Sequence, residues 1–380
     1  MFIFTKEGSI DNEHFYRRYI KSYTRPYYNV YHWRYPYISC DKKEYEPMLL
    51  LPIGFGIILA NIPFSSAIGE NGFLTILYNA GISTELFPIL IFIAVGAMVD
   101  FSPLLKQPLM IFFGAAAQLG IFLTIIFAHM LGFNLKEAAA IGIIGAADGP
   151  TSIYVANLFA PKLLGPISVA AYSYMALVPI IQPFVIKMLT SEEERKIRMD
   201  LRMNEVSKTA KILFPIAVTF VAGILVPTSV PLVGSLMFGN LIRESGVVER
   251  LSKAAQNELA NLVTLLLGIT IGSTMTADKF LTPTTLLIFG MGLIAFIFDT
   301  AGGVLFAKFL NLFLKNKVNP MVGAAGISAF PMSSRVIQKM AQKEDPTNFI
   351  LMQAVGANVA GQLGSIIAGG IVIALVSSIM

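Results

Sequence analysis

The chain has 380 residues, of which 55% are hydrophobic and 13% charged, against about 25% charged in an ordinary soluble protein. That balance excludes a soluble globular enzyme and points to an integral membrane protein. The single cysteine, Cys40, excludes a disulfide framework; the scattered His14, His32 and His129 give no zinc site; and the net charge of +5, spread over connecting segments, fits no nucleic-acid surface.

Residues 1–46 are unlike the rest, with nine of the thirteen tyrosines, the only tryptophan and eight of the 28 basic residues. They contain no span, and the start "MFIFTKEGS" lacks the basic, apolar and small-residue zones of a secretion signal. The segment reads as a Tyr/Arg-rich cytoplasmic or interfacial extension, with a loosely ordered terminus as the plain alternative.

From residue 47 onward, apolar stretches long enough to cross a bilayer recur, among them 84–101, 107–132, 163–190, 284–314 and 360–380. Lipid offers no partner for backbone N–H and C=O groups, so spans of this length form helices. The expected fold class is all-α, a polytopic helical membrane protein with about ten or eleven crossings and re-entrant segments. The polar stretch 191–211, with six basic and five acidic residues, divides the chain into membrane halves 47–190 and 212–380. Its near-balanced charge suggests a solvated connecting helix, and its basic residues favour the cytoplasmic side. No phosphate loop or dinucleotide fingerprint occurs, so ATP bound here is not the energy source.

Each half contains one span interrupted by small residues and proline. In the first, Gly145-Ala146-Ala147 precedes Asp148-Gly149-Pro150; in the second, Gly323-Ala324-Ala325 precedes Gly326, Ser328 and Pro331. Paired broken spans in corresponding positions of two inverted-repeat-like halves mark a transporter-type site near the bilayer midplane.

A carboxylate deep in a membrane helix costs about 2.5–3.5 kcal/mol on insertion scales, so Asp148 requires a partner. The break frees backbone carbonyls, and Thr151 and Ser152 add hydroxyl oxygens, a set suited to a small hard cation or a proton. The plainer alternative is that Asp148 caps the helix starting at Pro150. In the second half Asn319 and Asn358 offer neutral amide oxygens. Arg335 either snorkels to headgroups or holds an anion in a forked pair of hydrogen bonds. Asp100 and Asp299 are expected near the ends of apolar runs, within reach of water, and Tyr174 is expected to pack with its hydroxyl at a polar spot.

Several ordered blocks carry a family resemblance: "PMLLLPIGFGIILANIP", "GAADGPTSIYVANLFAPKLLGPISVAAYSYMALVPIIQPF", "TSEEERKIRM", "FGNLIRESGVVERLS" and "NPMVGAAGISAFPMSSR". Over about residues 44–380 the chain resembles the β subunit of the sodium-pumping carboxybiotin decarboxylases, which serve oxaloacetate, methylmalonyl-CoA or glutaconyl-CoA. The resemblance implies a multi-pass subunit of the bacterial plasma (inner) membrane. Its implied partners are a carboxyltransferase α subunit, a biotin carrier subunit, a small membrane γ/δ subunit and further copies of itself. Carboxybiotin, held on the carrier, would be decarboxylated here with uptake of a proton, driving sodium ions outward.

The resemblance also implies roles for individual residues. Asp148, Asn319 and Asn358 would ligate sodium, Arg335 would meet the carboxybiotin carboxylate, and Tyr174 and Ser328 would take part in the reaction with Asp148. Gly149, Pro150 and Gly323 would shape the breaks. Two departures stand out: the polar start where the family has an apolar helix, and a short connection between Pro63 and Glu85, which favours an acyl-CoA over an oxaloacetate complex. From the broken spans alone, a secondary transporter exchanging sodium or protons for a small organic anion fits equally, and a structural anchor for a soluble decarboxylase is a third reading.

Overall fold

The computed structural model describes residues 47–199, 205–276, 280 and 282–379; the extension 1–46 and part of the connector lie outside the described residues. Among the described residues the regular structure is helical, without strands. Among the described residues six helices are long and apolar enough to cross a membrane, seven if the bent pair Phe73–Ile82 and Leu86–Met98 counts as one span. That is fewer than the roughly ten or eleven crossings and re-entrant segments expected, because several apolar segments are cut into helices too short to span, Pro47–Asn61 among them. The protein is a multi-pass, all-α membrane protein.

The first half runs through α1 (Pro47–Asn61), α2 (Leu86–Met98), α3 (Met110–Ala116) with α4 (Leu119–Met130), the broken pair α5 (Leu135–Gly142) and α6 (Gly149–Phe159), and the long α7 (Leu164–Leu189). The second runs through α8 (Lys208–Leu225), α9 (Val230–Ser245), α10 (Ala260–Ser273), α11 (Pro283–Leu310), the broken pair α12 (Pro320–Ala324) and α13 (Met332–Glu344), and the long α14 (Leu351–Ile379). Each half thus ends on a broken helix followed by a long span.

Two groups of helices pack within this succession. In one, α1 lies on α10 and α2 on α9, with α8 outside carrying exposed Phe220, Ile224 and Leu225, the pattern of a lipid-facing helix. Gly96 and Gly239 bring the α2 and α9 backbones so close that a methyl at either would strike a carbonyl of the other; small residues permit such contact where lipid gives helices no hydrophobic drive to associate. The other group, α3 to α7 with α11 to α14, holds both breaks. Gly303 of α11 faces Gly323 of α12, and Gly361 of α14 faces Gly326, backbone against backbone. These contacts place the second break between α11 and α14.

Two expectations change. The connector is helical only over Glu192–Arg195 before Met199, rather than a continuous solvated helix. Its backbone is taken by the second half: the Asn319 amide donates to the Arg195 and Ile197 carbonyls at 2.8 and 2.9 Å, and Asn348 to Ile197 at 3.2 Å. Carbonyls held by side chains in this way are not extending a helix. Arg195 pairs with Glu344 at 2.7 Å and Arg198 with Asp345 at 2.6 Å, clasping the connector to the end of α13.

Asp299 is the second correction. It lies in the body of α11, fully buried, and not at a water-reaching end. The Gly120 and Ile121 N–H groups approach its carboxylate without a well-formed hydrogen bond to either oxygen. The oxygens occupy space that only glycine leaves, since a Cβ on Gly120 would lie 2.5 Å from one and a Cβ on Gly145 2.5 Å from the other. Hydropathy along the chain does not show this, because a single acid barely alters the average of so apolar a segment.

Candidate functional site

The first break is built locally. Asn134 and Glu137 form a capping box that starts α5, as expected for an asparagine three residues before a glutamate. The helix tightens into a 3-10 turn over Ile143–Ala146, and Ala147 takes a left-handed backbone with φ of 51°, a conformation costly for a residue with a Cβ. Asp148 is extended, and α6 restarts at Gly149 with Pro150 in its first turn. Proline lacks only an N–H that a helix start leaves unpaired anyway. Gly149 packs on the Tyr172 ring so closely that a Cβ would overlap it.

Asp148 is 3% exposed. Its Oδ2 accepts from the Thr151 hydroxyl at 2.7 Å, from the Ser365 hydroxyl at 2.9 Å and from the Gln362 amide at 3.3 Å. Asp148 stands at the N-cap position of α6, but its side chain makes no well-formed bond to the α6 backbone, so capping alone does not describe it. Its carboxylate instead joins α6 to α14. An ionised carboxylate inside a membrane needs donors of this kind, because charge-assisted hydrogen bonds replace the water it has lost.

Asn358, Gln362 and Ser365 stand at i, i+4 and i+7 along α14 and share one face. Asn358 donates to the Ala325 and Ile327 carbonyls at 3.2 and 2.6 Å, capturing two carbonyls that the second break has released. Its own Oδ1 is buried and, among the described residues, accepts no hydrogen bond. That orphan oxygen, one turn from Gln362 on the face that reaches Asp148, is an oxygen donor without a partner. Ser328 closes the arrangement: its N–H and hydroxyl both donate to the Ala146 carbonyl, at 3.2 and 2.6 Å. Each break therefore satisfies groups the other exposes, and the Ala146 carbonyl, just before the first break, is already occupied.

The remaining candidates make their polar contacts with other groups. Asn319 caps α12, its Oδ1 accepting from the Met321 N–H at 3.0 Å while its amide holds the connector. Its amide N–H groups and one lone pair of its Oδ1 are engaged there, because Pro320 starts a helix whose first N–H groups need an acceptor. Tyr174 donates its hydroxyl to the Phe289 carbonyl, linking α7 to α11. Gly323 serves backbone contact with Gly303. Arg335 is exposed on α13 and has no ion pair among the described residues.

Gln362 and Ser365 were not singled out from sequence, although their spacing from Asn358 would have placed them on its face. Gln182 was not either. It lies beside Pro183 in α7, and its amide donates to the Ala324 carbonyl at 2.8 Å and the Ser333 hydroxyl at 2.7 Å, bracing the second break from outside. Carboxylate, amide and hydroxyl oxygens without sulfur or imidazole form a hard donor set, the chemistry of a small cation such as sodium.

A family model described as the Na+-transporting oxaloacetate decarboxylase beta subunit matches residues 36–376. Methylmalonyl-CoA decarboxylase subunit beta of Propionigenium modestum is 50% identical over 358 residues, covering 88% of this chain and 90% of that protein. Glutaconyl-CoA decarboxylase subunit beta of Acidaminococcus fermentans is 52% identical over 334 residues, covering 88% of each. Oxaloacetate decarboxylase beta chain 2 of Salmonella typhi is 46% identical over 392 residues, covering 87% of this chain and 90% of that protein.

Proposed function

The chain belongs to the family of sodium-transporting decarboxylase β subunits, and from that premise we propose that it decarboxylates carboxybiotin and uses the reaction to move sodium out across the membrane. A soluble carboxyltransferase α subunit loads the biotin, a carrier subunit delivers it, and a small γ/δ membrane subunit and further β copies complete the assembly. An acyl-CoA is the substrate at the soluble end. In support, the alignments with the acyl-CoA relatives above run over 334 and 358 residues and that with the oxaloacetate relative over 392, in keeping with the short Pro63–Glu85 connection.

The observation that carries the site assignment is the convergence of three donors from two helices on Asp148 Oδ2. A carboxylate so placed binds sodium with help from Asn358 Oδ1 and the Thr151 and Ser365 hydroxyls, whose lone pairs turn to the ion while their protons go elsewhere. A proton is the other cation that neutralises the same group, so sodium and H⁺ compete there. Decarboxylation cleaves the N–CO₂⁻ bond of carboxybiotin, releases CO₂ and returns a proton to the ureido nitrogen. Arg335, one turn beyond the second break, holds the carboxylate of carboxybiotin beforehand as a forked donor.

Moving one sodium ion outward against 100 mV costs about 2.3 kcal/mol, so ion release must be tied to the chemical step. Movement of one helix group relative to the other provides the alternating access. Asn319 acts in this scheme as the hinge pin of the connector and not as an ion ligand. The test is reconstitution of the whole complex in vesicles with radiosodium. Sodium uptake that stops when decarboxylation stops is expected; decarboxylation without uptake would defeat the pump, and uptake without decarboxylation would favour the exchanger.

A further inference from the structure

Helix α13 runs from the second break to the connector, and its two faces differ. Ser333, Ser334, Val336, Ile337, Met340 and Ala341 are buried. Arg335, Lys339 and Lys343 are exposed at i, i+4 and i+8, in one row on the other side. None has an ion pair among the described residues. Like charges at this spacing repel. The acids that could have relieved them, Glu344 and Asp345 at the same end of the helix, are engaged by Arg195 and Arg198 of the connector.

At 1.5 Å per residue the row covers about 12 Å, beginning roughly 6 Å beyond Pro331. It therefore leads from the connector level to the break whose Ser328 is bonded to Ala146, next to Asp148. Hydrocarbon will not accept three bare cations along such a path, so the row faces water or an anion. Lipid headgroups can reach its outer end, but a set of charges that continues inward to the break is better matched to an anion that travels inward.

We propose that Lys339 and Lys343, with Arg335 at the inner end, form an anion track that guides the carboxylate of carrier-borne carboxybiotin from the connector to the break. This rests on the function proposed above and adds two positioning residues to it. The two lysines act before chemistry: they raise the local concentration of an anionic ligand and hand it to Arg335, as clefts lined with one sign of charge do.

The experiment uses the whole complex in nanodiscs of zwitterionic or anionic lipid, with carboxybiotin on its carrier as substrate. The Lys339→Gln/Lys343→Gln double variant should raise KM roughly fivefold while kcat stays within about a factor of two, as for two exposed charge pairs lost. Lys339→Arg/Lys343→Arg should restore the wild-type KM. High salt should raise the wild-type KM towards that of the double variant. An unchanged KM would overturn the track, as would a rise that the arginine variant fails to reverse. A rise seen only in anionic nanodiscs would make the lysines headgroup anchors and overturn it too. If the wild-type complex turned over no carboxybiotin, the proposed function would fail, and that result is distinct from all of these.

Discussion

Ser365 donates to Asp148 Oδ2 at 2.9 Å across 217 residues of sequence, so the broken helix of the first half and the final helix of the second meet at one buried carboxylate. Gln362, one turn back on α14, reaches the same oxygen. The site belongs to neither half alone.

Removing the charge tests that meeting point. Asp148→Asn should leave the protein inserted and folded, because an amide accepts the same hydroxyl donors, and should abolish sodium-stimulated decarboxylation. Ser365→Ala should keep turnover but raise the half-saturating sodium concentration roughly tenfold, as expected for one lost hydrogen bond to a charged group. Sodium titration of decarboxylation by the two variants measures both effects; normal stimulation in Asp148→Asn would remove this residue from the scheme.

Asn358 supports the second break as well as offering an oxygen. Asn358→Leu would leave the Ala325 and Ile327 carbonyls without their donor, at a cost of about 1–3 kcal/mol each before relaxation. A fall in the thermal unfolding midpoint in detergent is expected, together with weaker sodium activation. A variant with full thermal stability would show that water or another donor takes over.

The glycines beside Asp299 can be tested by packing. Gly120→Ala and Gly145→Ala each place a methyl 2.5 Å from an Asp299 oxygen and should destabilise by about 1–3 kcal/mol. Adding Asp299→Ala should recover part of the loss, since the clash is shared between the two positions. Unfolding measured for the single and double variants gives the coupling, and strict additivity would place the carboxylate elsewhere.

The connector clasp carries a pH signature. Asp345 is held down at about 2, from an ordinary 3.8, by the Thr347 hydroxyl and N–H and then by Arg198. A lowered carboxyl stabilises the clasp fully above its unfolded value and loses that contribution as pH falls through the folded one. Fluorophores on Glu193→Cys and Pro346→Cys should therefore keep their separation from about pH 8 to 5 and part only below about 4. Asp345→Asn should remove that acid transition; separation unchanged at low pH in the parent would mean that Arg195–Glu344 suffices.

Much of this protein is legible in its sequence because a bilayer is a strict solvent. Runs of apolar residues become helices since backbone groups there have no other partner, and Gly-Pro breaks beside Asp148 or Ser328 stand out against such uniform surroundings. The ordered blocks around those breaks carry the family, and the same stretch of chain matches the β-subunit family and its members. Partners across the breaks were a different matter. That Asn319 serves the connector, that Asn358 serves the second break, that Gln362 and Ser365 meet Asp148, and that Asp299 is sealed between two glycines all depend on which helix faces approach each other. Hydropathy reports only whether a segment enters the membrane, whereas the direction each polar group points inside it is set by close packing between segments distant in the chain.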